Sequence, residues 1–268
     1  MTSTIRQYHA HPAWSPTKLK AALSGSMRKW YHRYGPDAKP FKPSIDMIKG
    51  SIVDALLTPP FVIPMDEYMI VETTDKRTKA GKAACEEAES RGLHPLTEAF
   101  IDRAKQIKDA LLQDPDVAPI MEAITAEHSQ APHFWDDDSG RPCRCLPDVV
   151  TPHGVYDLKK TRSANPRKLY WQSMDLAYDL QMAHLALGFQ DRMGAPPQEV
   201  GIIGYEWPDE PEDPIETCVL MFSERDLEAG RARREEAFAR IAECQRSGVW
   251  PSYGRQPFSQ TPLKYDDV

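Results

Sequence analysis

The segment PDVVTPHGVYDLK, residues 147–159, is the part of the chain that most restricts its fold. It joins a Pro-Asp pair, a tight turn and an Asp-Leu-Lys run on a short apolar stretch. If the chain reverses at the turn, Asp148 and Asp157 become opposed neighbours on antiparallel strands, with Cβ atoms roughly 5 Å apart. Asp157 and Lys159 share one face of their strand because side chains alternate along it. The segment therefore predicts a hairpin that gathers two carboxylates and an ammonium.

Opposed carboxylates repel each other, so this hairpin favours a divalent cation between them. Mg²⁺ prefers carboxylate oxygens, and when bound it polarises a phosphate and lowers the pKa of a water ligand. Lys159 would orient or deprotonate that water, or offset the charge that builds on phosphorus. The chemistry that suits this set is phosphodiester hydrolysis. The alternative is a surface hairpin with an ordinary Asp–Lys pair, since such short patterns also arise by chance.

Other segments of the chain follow a family pattern. They are SPTKLK (15–20), KGSIVDALLTPP (49–60), DKRTKAGK (75–82), RGLHPLT (91–97), CRCLPD (143–148) and VWPSY (249–253). Together with the hairpin, these segments resemble the PD-(D/E)XK nuclease superfamily, and most closely the RecE-type exonucleases (exodeoxyribonuclease VIII and its phage relatives). The resemblance implies an α/β fold with a restriction-endonuclease-like core, in which a mixed central β-sheet is flanked by helices.

The resemblance implies a metal site at the hairpin. Asp148 and Asp157 would bind Mg²⁺, or Mn²⁺ in its place, and the Leu158 carbonyl would be a further ligand. Lys159 would be the catalytic lysine. The family usually has a metal-binding His in its helix segment, where this chain has Asp54. An Asp oxygen suits either cation at least as well as imidazole does, so we expect Asp54 to be a metal ligand too.

The resemblance also implies a helix beside the site. Tyr178 and Gln181 match the start of a Tyr-x-x-Gln segment, with Gln181 in a catalytic role and Tyr178 in a supporting one. The family tends to place a Tyr four residues after the Gln, but this chain has Leu185 there, next to His184. We expect His184 to be a packed histidine. Glu127 matches an acidic or polar position on the strand before the hairpin and would support the site.

A DNA substrate has to be reconciled with a formal net charge of −7. Affinity for DNA depends on local neutralisation of phosphates, so a basic channel can serve in an acidic protein. The candidate cations are Arg162, Arg167 and Lys168 after the catalytic strand, then Lys76, Arg77, Lys79 and Lys82, and finally Arg28, Lys29 and Arg33. For each group, a solvated surface is the alternative. Arg231, Arg233 and Arg234 alternate with glutamates in a predicted helix, and we expect them to face solvent.

The length of 268 residues suits one large nuclease domain. We expect a helical N-terminal region (about 1–125) and a catalytic core (about 126–250). No apolar run approaches the roughly 20 residues of a membrane span, and no signal-peptide pattern opens the chain. We therefore expect a cytoplasmic protein with no membrane partner. Five scattered cysteines predict reduced, partly buried thiols, without a disulfide framework or an iron–sulfur cluster.

Periodicity and capping signals predict the order of elements. Helices are expected over 15–25, 27–34, 44–57, 78–91, 97–113, 166–193 and 224–246, and strands over 127–135, 142–151, 154–160, 198–206 and 216–222. Leucines and an alanine at helical spacing predict that 166–193 is one long helix, with a core stripe of Leu169, Leu176, Leu180, Ala183 and Leu187. The tail after Trp250 is expected to be irregular.

The most specific reading is a metal-dependent exonuclease that degrades linear double-stranded DNA, in the 5′-to-3′ direction, for recombination or repair. The resemblance to phage enzymes also implies a ring-like homo-oligomer and a single-strand annealing protein as partner. One alternative keeps the fold but makes the protein an endonuclease or a single-strand nuclease. Another is a non-catalytic DNA-binding protein with a degenerate site, which Asp54 and Leu185 suggest.

Overall fold

The computed structural model describes residues 3–38, 43–208, 210 and 212–253, without the side chains of 3–6 and 46. The predicted irregular tail beyond residue 253 lies outside the described residues. The helices are α1 (Ser3–Ala10), α2 (Pro16–Ser24), α3 (Met27–Tyr34), α4 (Ile45–Leu57), α5 (Lys79–Ser90), α6 (Glu98–Gln113), α7 (Ala118–Glu122), α8 (Pro166–Asp175), α9 (Tyr178–Met193) and α10 (Glu224–Ser247). The strands are β1 (Tyr68–Ile70), β2 (His94–Leu96), β3 (His133–Asp136), β4 (Pro142–Cys145), β5 (Val149–Val150), β6 (Gly154–Thr161), β7 (Glu199–Glu206) and β8 (Thr217–Met221). Within these ranges, no helix is both long and apolar enough to cross a membrane.

Polar caps fix the starts of the two helices that reach the hairpin. The Ser15 side chain accepts the Lys18 N–H, and Pro16 follows at the first helical position of α2. The Ser44 side chain accepts the Met47 N–H at the start of α4. Such caps satisfy backbone donors that have no partner inside the helix. They set the points from which α2 and α4 project their side chains toward the sheet.

The central sheet has the strand order β5-β6-β7-β8. β6 pairs with β7 in parallel, whereas β5 with β6 and β7 with β8 are antiparallel. The sheet is therefore mixed, as the sequence predicts. Two short sheets accompany it, a parallel pair of β1 and β2 and an antiparallel pair of β3 and β4.

Helices cover both faces of the central sheet because its strands are apolar on both sides. On one face, Tyr156 and Leu158 of β6 pack with residues of α4 and α6 in a single core. On the other face, Val155 packs with Met182 and Leu185 of α9. A third core joins α2, α9 and α10. Asp157 and Lys159 alternate with Tyr156 and Leu158 along β6, so they face away from the first core.

The single helix predicted over 166–193 is wrong, because the chain breaks between α8 and α9. Ala177 adopts the left-handed conformation with a φ of 53°, which disfavours an L-residue other than glycine. Its methyl group is fully buried in the third core, and this packing holds the break in place. The break turns Leu176 outward, and it is 44 % exposed. The predicted core stripe is therefore wrong at Leu176, although Leu169, Leu180 and Ala183 are buried.

The strand predicted over 127–135 is also shorter than expected. β3 begins only at His133, and Glu127 lies exposed in the preceding turn. Backbone groups of the turn bond elsewhere: the N–H of Thr125 donates to Val150 and that of Gln130 donates to Pro147. Because these backbone groups are not paired with β4, the turn does not extend β3. The strand position predicted for Glu127 is therefore wrong.

Arg233 and Arg234 of α10 are the third departure from the sequence reading. Arg234 is 3 % exposed and donates to Asp137 at 2.6 Å and to His184 Nδ1 at 3.3 Å. Arg233 donates to Asp179 at 2.9 Å. The expectation that these two arginines face solvent is wrong, since the acids that pair with them come from other parts of the chain.

Candidate active site

The structure brings Asp148 and Asp157 together where β5 meets β6. The antiparallel register of these strands, continued by one residue, sets Asp148 opposite Asp157. Asp148 accepts the Leu158 N–H at Oδ2 at 2.9 Å and the Gln130 amide at Oδ1 at 2.8 Å. These two hydrogen bonds orient its carboxylate. Gln130 was not anticipated from the sequence, because it lies in the turn that takes the place of a predicted strand.

Asp157 is the most enclosed carboxylate of the hairpin and is 4 % exposed. Its Oδ1 accepts the Gln181 amide at 2.8 Å, and its Oδ2 forms an ion pair with the Lys159 ammonium. The same ammonium lies 5.5 Å from the centroid of the Tyr178 ring. Gln181 and Tyr178, one turn apart on α9, therefore frame the Asp157–Lys159 pair from the helix side.

Asp54 approaches the hairpin from the last turn of α4. Its Oδ1 is buried and has no hydrogen-bond partner among the described residues. Burial raises the pKa of Asp54, the charge of Asp148 raises it further, and Lys159 opposes the shift. Burial also raises the pKa of Asp148, against the charge of Lys159 and two hydrogen bonds. The two carboxylates therefore disfavour each other's ionised form.

The pKa of Lys159 shifts in the opposite direction to those of Asp54 and Asp148. Burial lowers its pKa, and the charges of Asp148 and Asp54 act to raise it. Loss of hydration penalises the ammonium, while the neighbouring carboxylates favour it. The side chain thus occupies an environment where its proton is held less firmly than in water.

The side chains of this site are of the chemical type that binds a hard divalent cation, but they are not positioned around a single point. The charges of Asp148 and Asp54 both act on the Lys159 ammonium that pairs with Asp157. One oxygen of Asp54 is buried without a hydrogen-bond partner among the described residues, and carboxylate oxygens are the ligands that Mg²⁺ or Mn²⁺ prefers. No group of three or more His, Cys, Asp or Glu side chains is already gathered into a cage within the described part of the chain. Oδ1 of Asp157 accepts the Gln181 amide, whereas its buried Oδ2 forms the ion pair with Lys159 and has no hydrogen-bond partner among the described residues. A cation at Asp157 would therefore take the place of the Lys159 contact.

Lys20 is the main site residue that the sequence did not reveal. It extends from α2 and donates to Gln181 Oε1, and its ammonium lies 5.0 Å from the centroid of the Tyr178 ring. Burial lowers the pKa of Lys20 to about 7, helped by the charge of Lys159 and opposed by Asp179. The SPTKLK segment predicts the helix but gives no sign that its last lysine points inward. Only the packing of α2 against α9 brings this second ammonium to the site.

Tyr205 of β7 is a second unanticipated neighbour. Its side chain is fully buried, and its hydroxyl has no hydrogen-bond partner among the residues described. Burial raises the pKa of Tyr205 well above its ordinary value, and the charges of Asp54 and Asp148 raise it further. The phenol therefore stays neutral beside the acidic group and is available as a hydrogen-bond donor.

Leu185 and His184 are both packing residues of α9. Leu185 is buried in the core between α9 and the sheet. His184 is fully buried, lies 3.1 Å from the Arg144 carbonyl and accepts from Arg234. Burial and then the charge of Arg234 lower the pKa of His184 to about 3, so the ring is neutral. The expectation of a packed histidine is confirmed.

The predicted DNA-binding cations differ in their surroundings. Arg162, Arg167 and Lys168 are exposed and directly follow β6; no ion pair engages them in the described part of the chain. By contrast, Arg77 pairs with Asp75 at 2.8 Å. Lys76 pairs with Glu89 at 3.4 Å and Lys82 with Glu86 at 3.9 Å. The first group is therefore the one whose charge is available to a phosphate backbone, and the DNA-binding role of both groups stays a prediction.

Two further assignments also stay predictions. The Leu158 side chain is buried and its N–H is used by Asp148, but nothing in the structure tests whether its carbonyl binds a metal. The Glu127 carboxylate acts on Arg192, whose pKa it helps to raise against burial. This interaction suggests no direct part in the site.

Known proteins resemble this chain in family and in fold. The model of a family described as "PDDEXK-like domain of unknown function (DUF3799)" matches residues 15–257. The crystal structure of a "putative exonuclease" from Eubacterium rectale superposes with a TM-score of 0.61 at 14 % sequence identity, over 99 % of this chain and 95 % of that one. No curated protein shows significant similarity to the sequence. At this identity the crystal structure shows a shared fold, in agreement with the predicted α/β class.

Proposed function

Because this chain belongs to the PDDEXK-like domain family DUF3799, we propose that it is a divalent-metal-dependent nuclease that hydrolyses DNA phosphodiester bonds. Membership confirms the superfamily that the sequence resembles, whereas the RecE-type branch stays a prediction. The observation that carries the proposal is the convergence of Asp148, Asp157 and Lys159 where β5 meets β6. Two carboxylates and an ammonium in one half-buried site match the needs of metal-assisted hydrolysis.

Asp148, Asp157 and Asp54 are the residues that would hold the metal. When bound, a divalent cation polarises the scissile phosphate and lowers the pKa of a water ligand. The protein's part is to aim the carboxylates, which the amides of Gln130 and Gln181 do by direct hydrogen bonds. Hydrogen-bond donors of this kind fix the orientation of metal-binding carboxylates and tune their basicity.

Lys159 orients the attacking water or takes its proton. Burial lowers its pKa, so the neutral amine that a base requires is more accessible than for a surface lysine. In its charged form the same side chain offsets charge on the phosphate. Lys20 supports Lys159 indirectly, because it holds Gln181 and through it Asp157.

A DNA strand would run along the surface that follows β6. Arg162, Arg167 and Lys168 are exposed there, and Tyr170 of α8 presents a ring that is also exposed. Cations neutralise phosphates and aromatic rings stack on unpaired bases. This surface would hold the DNA next to the C-terminal end of β6.

The finer proposal is an exonuclease that degrades linear duplex DNA in the 5′-to-3′ direction for recombination or repair, in a phage, a prophage or a host. It is supported by the resemblance to RecE-type enzymes and by the description of the Eubacterium rectale protein as a "putative exonuclease". A ring-like homo-oligomer, a single-strand annealing partner and a cytoplasmic location belong to the same proposal. An endonuclease, or an enzyme for single strands, would use the same residues.

A non-catalytic DNA-binding protein is the rival that one observation favours. Asp157 is engaged by Lys159, and the carboxylates are not gathered into a ready cage within the described residues. In that case the site would bind DNA without cutting it. Loss of cleavage in Lys159→Ala, with DNA binding retained, separates the enzyme from this rival.

The test uses one duplex labelled at its 5′ or its 3′ end, beside a closed circle and a single strand of the same sequence. Each is incubated with Mg²⁺, Mn²⁺ or EDTA, with Asp157→Ala as the control. We expect metal-dependent release of the 5′ label and an intact circle. Cutting of the circle would make the protein an endonuclease, and preference for the single strand would change the substrate class. No cleavage with either metal would contradict the proposed function.

A further inference from the structure

Arg144 of β4 is a buried arginine, and two nitrogens of its guanidinium lack hydrogen-bond partners among the described residues. Its side chain is 8 % exposed, and Nε and Nη1 are buried without a hydrogen-bond partner in the described part of the chain. Arg234, which is also buried, donates to Asp137 and His184. Arg192 donates to three backbone carbonyls. Guanidinium nitrogens that are removed from water without hydrogen bonds are unfavourable, so Arg144 would be stabilised by an incoming anion.

The groups around Arg144 are donors and cations. The Tyr8 ring centroid lies 4.6 Å from the guanidinium carbon, and the buried Tyr34 hydroxyl also lacks a partner among the described residues. The Lys18 ammonium lies 4.3 Å from the centroid of the Trp14 ring; burial and then the charge of Arg144 lower the pKa of this lysine. We call Tyr8, Lys18, Tyr34 and Arg144 the Arg144 cluster. It gathers two cations and two phenols.

Carboxylates do not balance this charge within the described residues. Burial lowers the pKa of Arg144, and the groups that act to raise it are the phenols of Tyr8 and Tyr34. A phenol is neutral at physiological pH, so it provides hydrogen-bonding capacity and no negative charge. Because Lys18 and Arg144 repel each other, the cluster favours an anion from outside in the same way that opposed carboxylates favour a cation.

The cluster lies close to the candidate active site. Arg144 precedes Asp148 by four residues, and a fully extended chain of that length spans at most about 14 Å. One DNA strand rises 3.4 Å per nucleotide, so the separation corresponds to at most about four nucleotides. The carboxylate of Asp148 also acts on the Tyr8 hydroxyl, whose pKa it helps to raise after burial and Cys145. A strand with one phosphate at the hairpin would therefore have another within reach of Arg144.

We propose that the Arg144 cluster is an anion site that binds a phosphate of the DNA strand held in the candidate active site. This inference rests on the proposed function and adds a handle for the substrate. The planar guanidinium matches a phosphate with paired N–H donors, and the Lys18 ammonium and the Tyr34 hydroxyl supply further donors. The phosphate is either a terminal monoester or an internal diester, which present the same oxygens to the cluster.

Helix α1 is the cover that a phosphate would displace. Tyr8, which lies over the guanidinium, is its only buried side chain among residues 7–10. The Tyr8 ring is packed 6.0 Å from that of Phe134. A phosphate that reaches the guanidinium would therefore have to displace the Tyr8 ring.

The first test measures binding of inorganic phosphate without DNA. The melting temperatures of the wild-type protein and of Arg144→Gln are compared in phosphate and in chloride at equal ionic strength, with EDTA present. We expect phosphate to raise the melting temperature of the wild type by a few degrees, because a ligand of the folded state stabilises it. The variant should lose this rise. An equal rise in both proteins would overturn the proposal.

The second test measures the affinity for duplexes that carry a 5′-phosphate, a 3′-phosphate or only hydroxyl ends, in EDTA and over a range of salt concentrations. We expect Arg144→Gln to weaken binding about tenfold and to lower the salt slope by about one. Loss confined to one phosphorylated end identifies a terminal phosphate, and equal loss on all duplexes identifies an internal one. Unchanged affinity and slope in the folded variant would overturn the proposal.

Matched variants keep the result interpretable. Arg246→Gln removes an exposed arginine of α10 and should leave both measurements unchanged. If Arg144→Gln fails to fold, Lys18→Gln and Tyr34→Phe remove other members of the cluster and should each show a smaller loss in the same direction. If the wild type binds no DNA, the proposed function fails, while the phosphate-dependent melting temperature still decides the fate of the anion site.

Discussion

Two groups of charged side chains contact α9, one through His184 and the other through Gln181, and they are balanced in opposite ways. In the first group, Arg234 donates to Asp137 at 2.6 Å. Arg141 donates to Asp137 at 2.8 Å and to Glu235 at 2.7 Å. In the second group, at the hairpin, three carboxylates share the Lys159 ammonium, and an Asp54 oxygen has no partner among the described residues. We call these the paired network and the acidic site.

The pKa values of the carboxyl groups diverge accordingly. Burial would raise the pKa of Asp137, but hydrogen bonds from Arg234 and the backbone hold it below its ordinary value. Hydrogen bonds from Arg141 do the same for Glu235. At the acidic site, burial and mutual repulsion raise the pKa values of Asp54 and Asp148. The paired network therefore stabilises the fold, whereas the acidic site is held by the fold in a state that an external cation would improve.

The largest effect that separates the two groups should come from Lys159→Ala. This change removes the only ammonium in contact with Asp157 among the described residues. We expect kcat for DNA cleavage to fall about 10³-fold, since the variant loses proton transfer and charge stabilisation at the phosphate. DNA affinity in EDTA should change little. Cleavage within tenfold of the wild-type rate would contradict the catalytic role of Lys159.

Substitutions in the paired network should lower the stability of the protein and not the rate of the chemical step. Asp137→Ala removes the buried carboxylate that pairs with the buried Arg234 guanidinium, which then keeps the pair with the exposed Glu235. We expect a loss of about 3–5 kcal/mol in the free energy of unfolding, or about 10 °C in melting temperature. Glu243→Ala breaks an exposed pair with Arg246 and should stay within about 0.5 kcal/mol of the wild type. If the two variants melt at the same temperature, the paired network does not stabilise the fold as described.

Lys20 tests how far the acidic site extends into α2. Lys20→Met removes the donor to Gln181, so we expect kcat to fall about tenfold, as for other groups that orient a ligand indirectly. Because the pKa of Lys20 is about 7, its ammonium is present below that pH and is lost above it. The ratio of wild-type to variant kcat should therefore decrease between pH 6 and pH 8. A ratio that is constant with pH would contradict a role for the ammonium.

Asp54→Asn should have the smallest effect. It should raise the free energy of unfolding, whereas Asp137→Ala should lower it. The pKa of Asp54 is raised in the folded state, so the folded protein binds more protons and loses stability as pH rises through the interval between the unfolded and folded values. In EDTA at neutral pH, the variant should be more stable than the wild type by on the order of 1 kcal/mol. The difference should vanish below about pH 4 and shrink when Mg²⁺ is added. A less stable variant would contradict the unfavourable charge.

The sequence predicts the acidic site better than the paired network, for a physical reason. Asp148, Asp157 and Lys159 lie within one hairpin, so the alternation of a strand and a short turn suffices to bring them together. The paired network joins residues nearly one hundred positions apart, Asp137 and Arg234. The local charge pattern of α10 gives no information about such a partner, and the expectation of a solvent-facing Arg234 failed for that reason.

The same distinction applies to the helices. The caps at Ser15 and Ser44 are local signals, and α2 and α4 begin where these signals predict. The break at Ala177 is not local, because the left-handed backbone there is stabilised by burial against α2 and α10. Lys20 was missed in the same way, since its path to Gln181 depends on how α2 packs against α9.

The measurement that tests the account most directly is hydrolysis of a linear DNA duplex as the Mn²⁺ or Mg²⁺ concentration is raised, in the wild type and in Asp157→Ala. We predict nucleotide release that saturates with metal concentration in the wild type, is abolished by EDTA and is absent in Asp157→Ala. Release that persists in EDTA, or in Asp157→Ala at equal rate, would contradict a metal-dependent nuclease built on the acidic site.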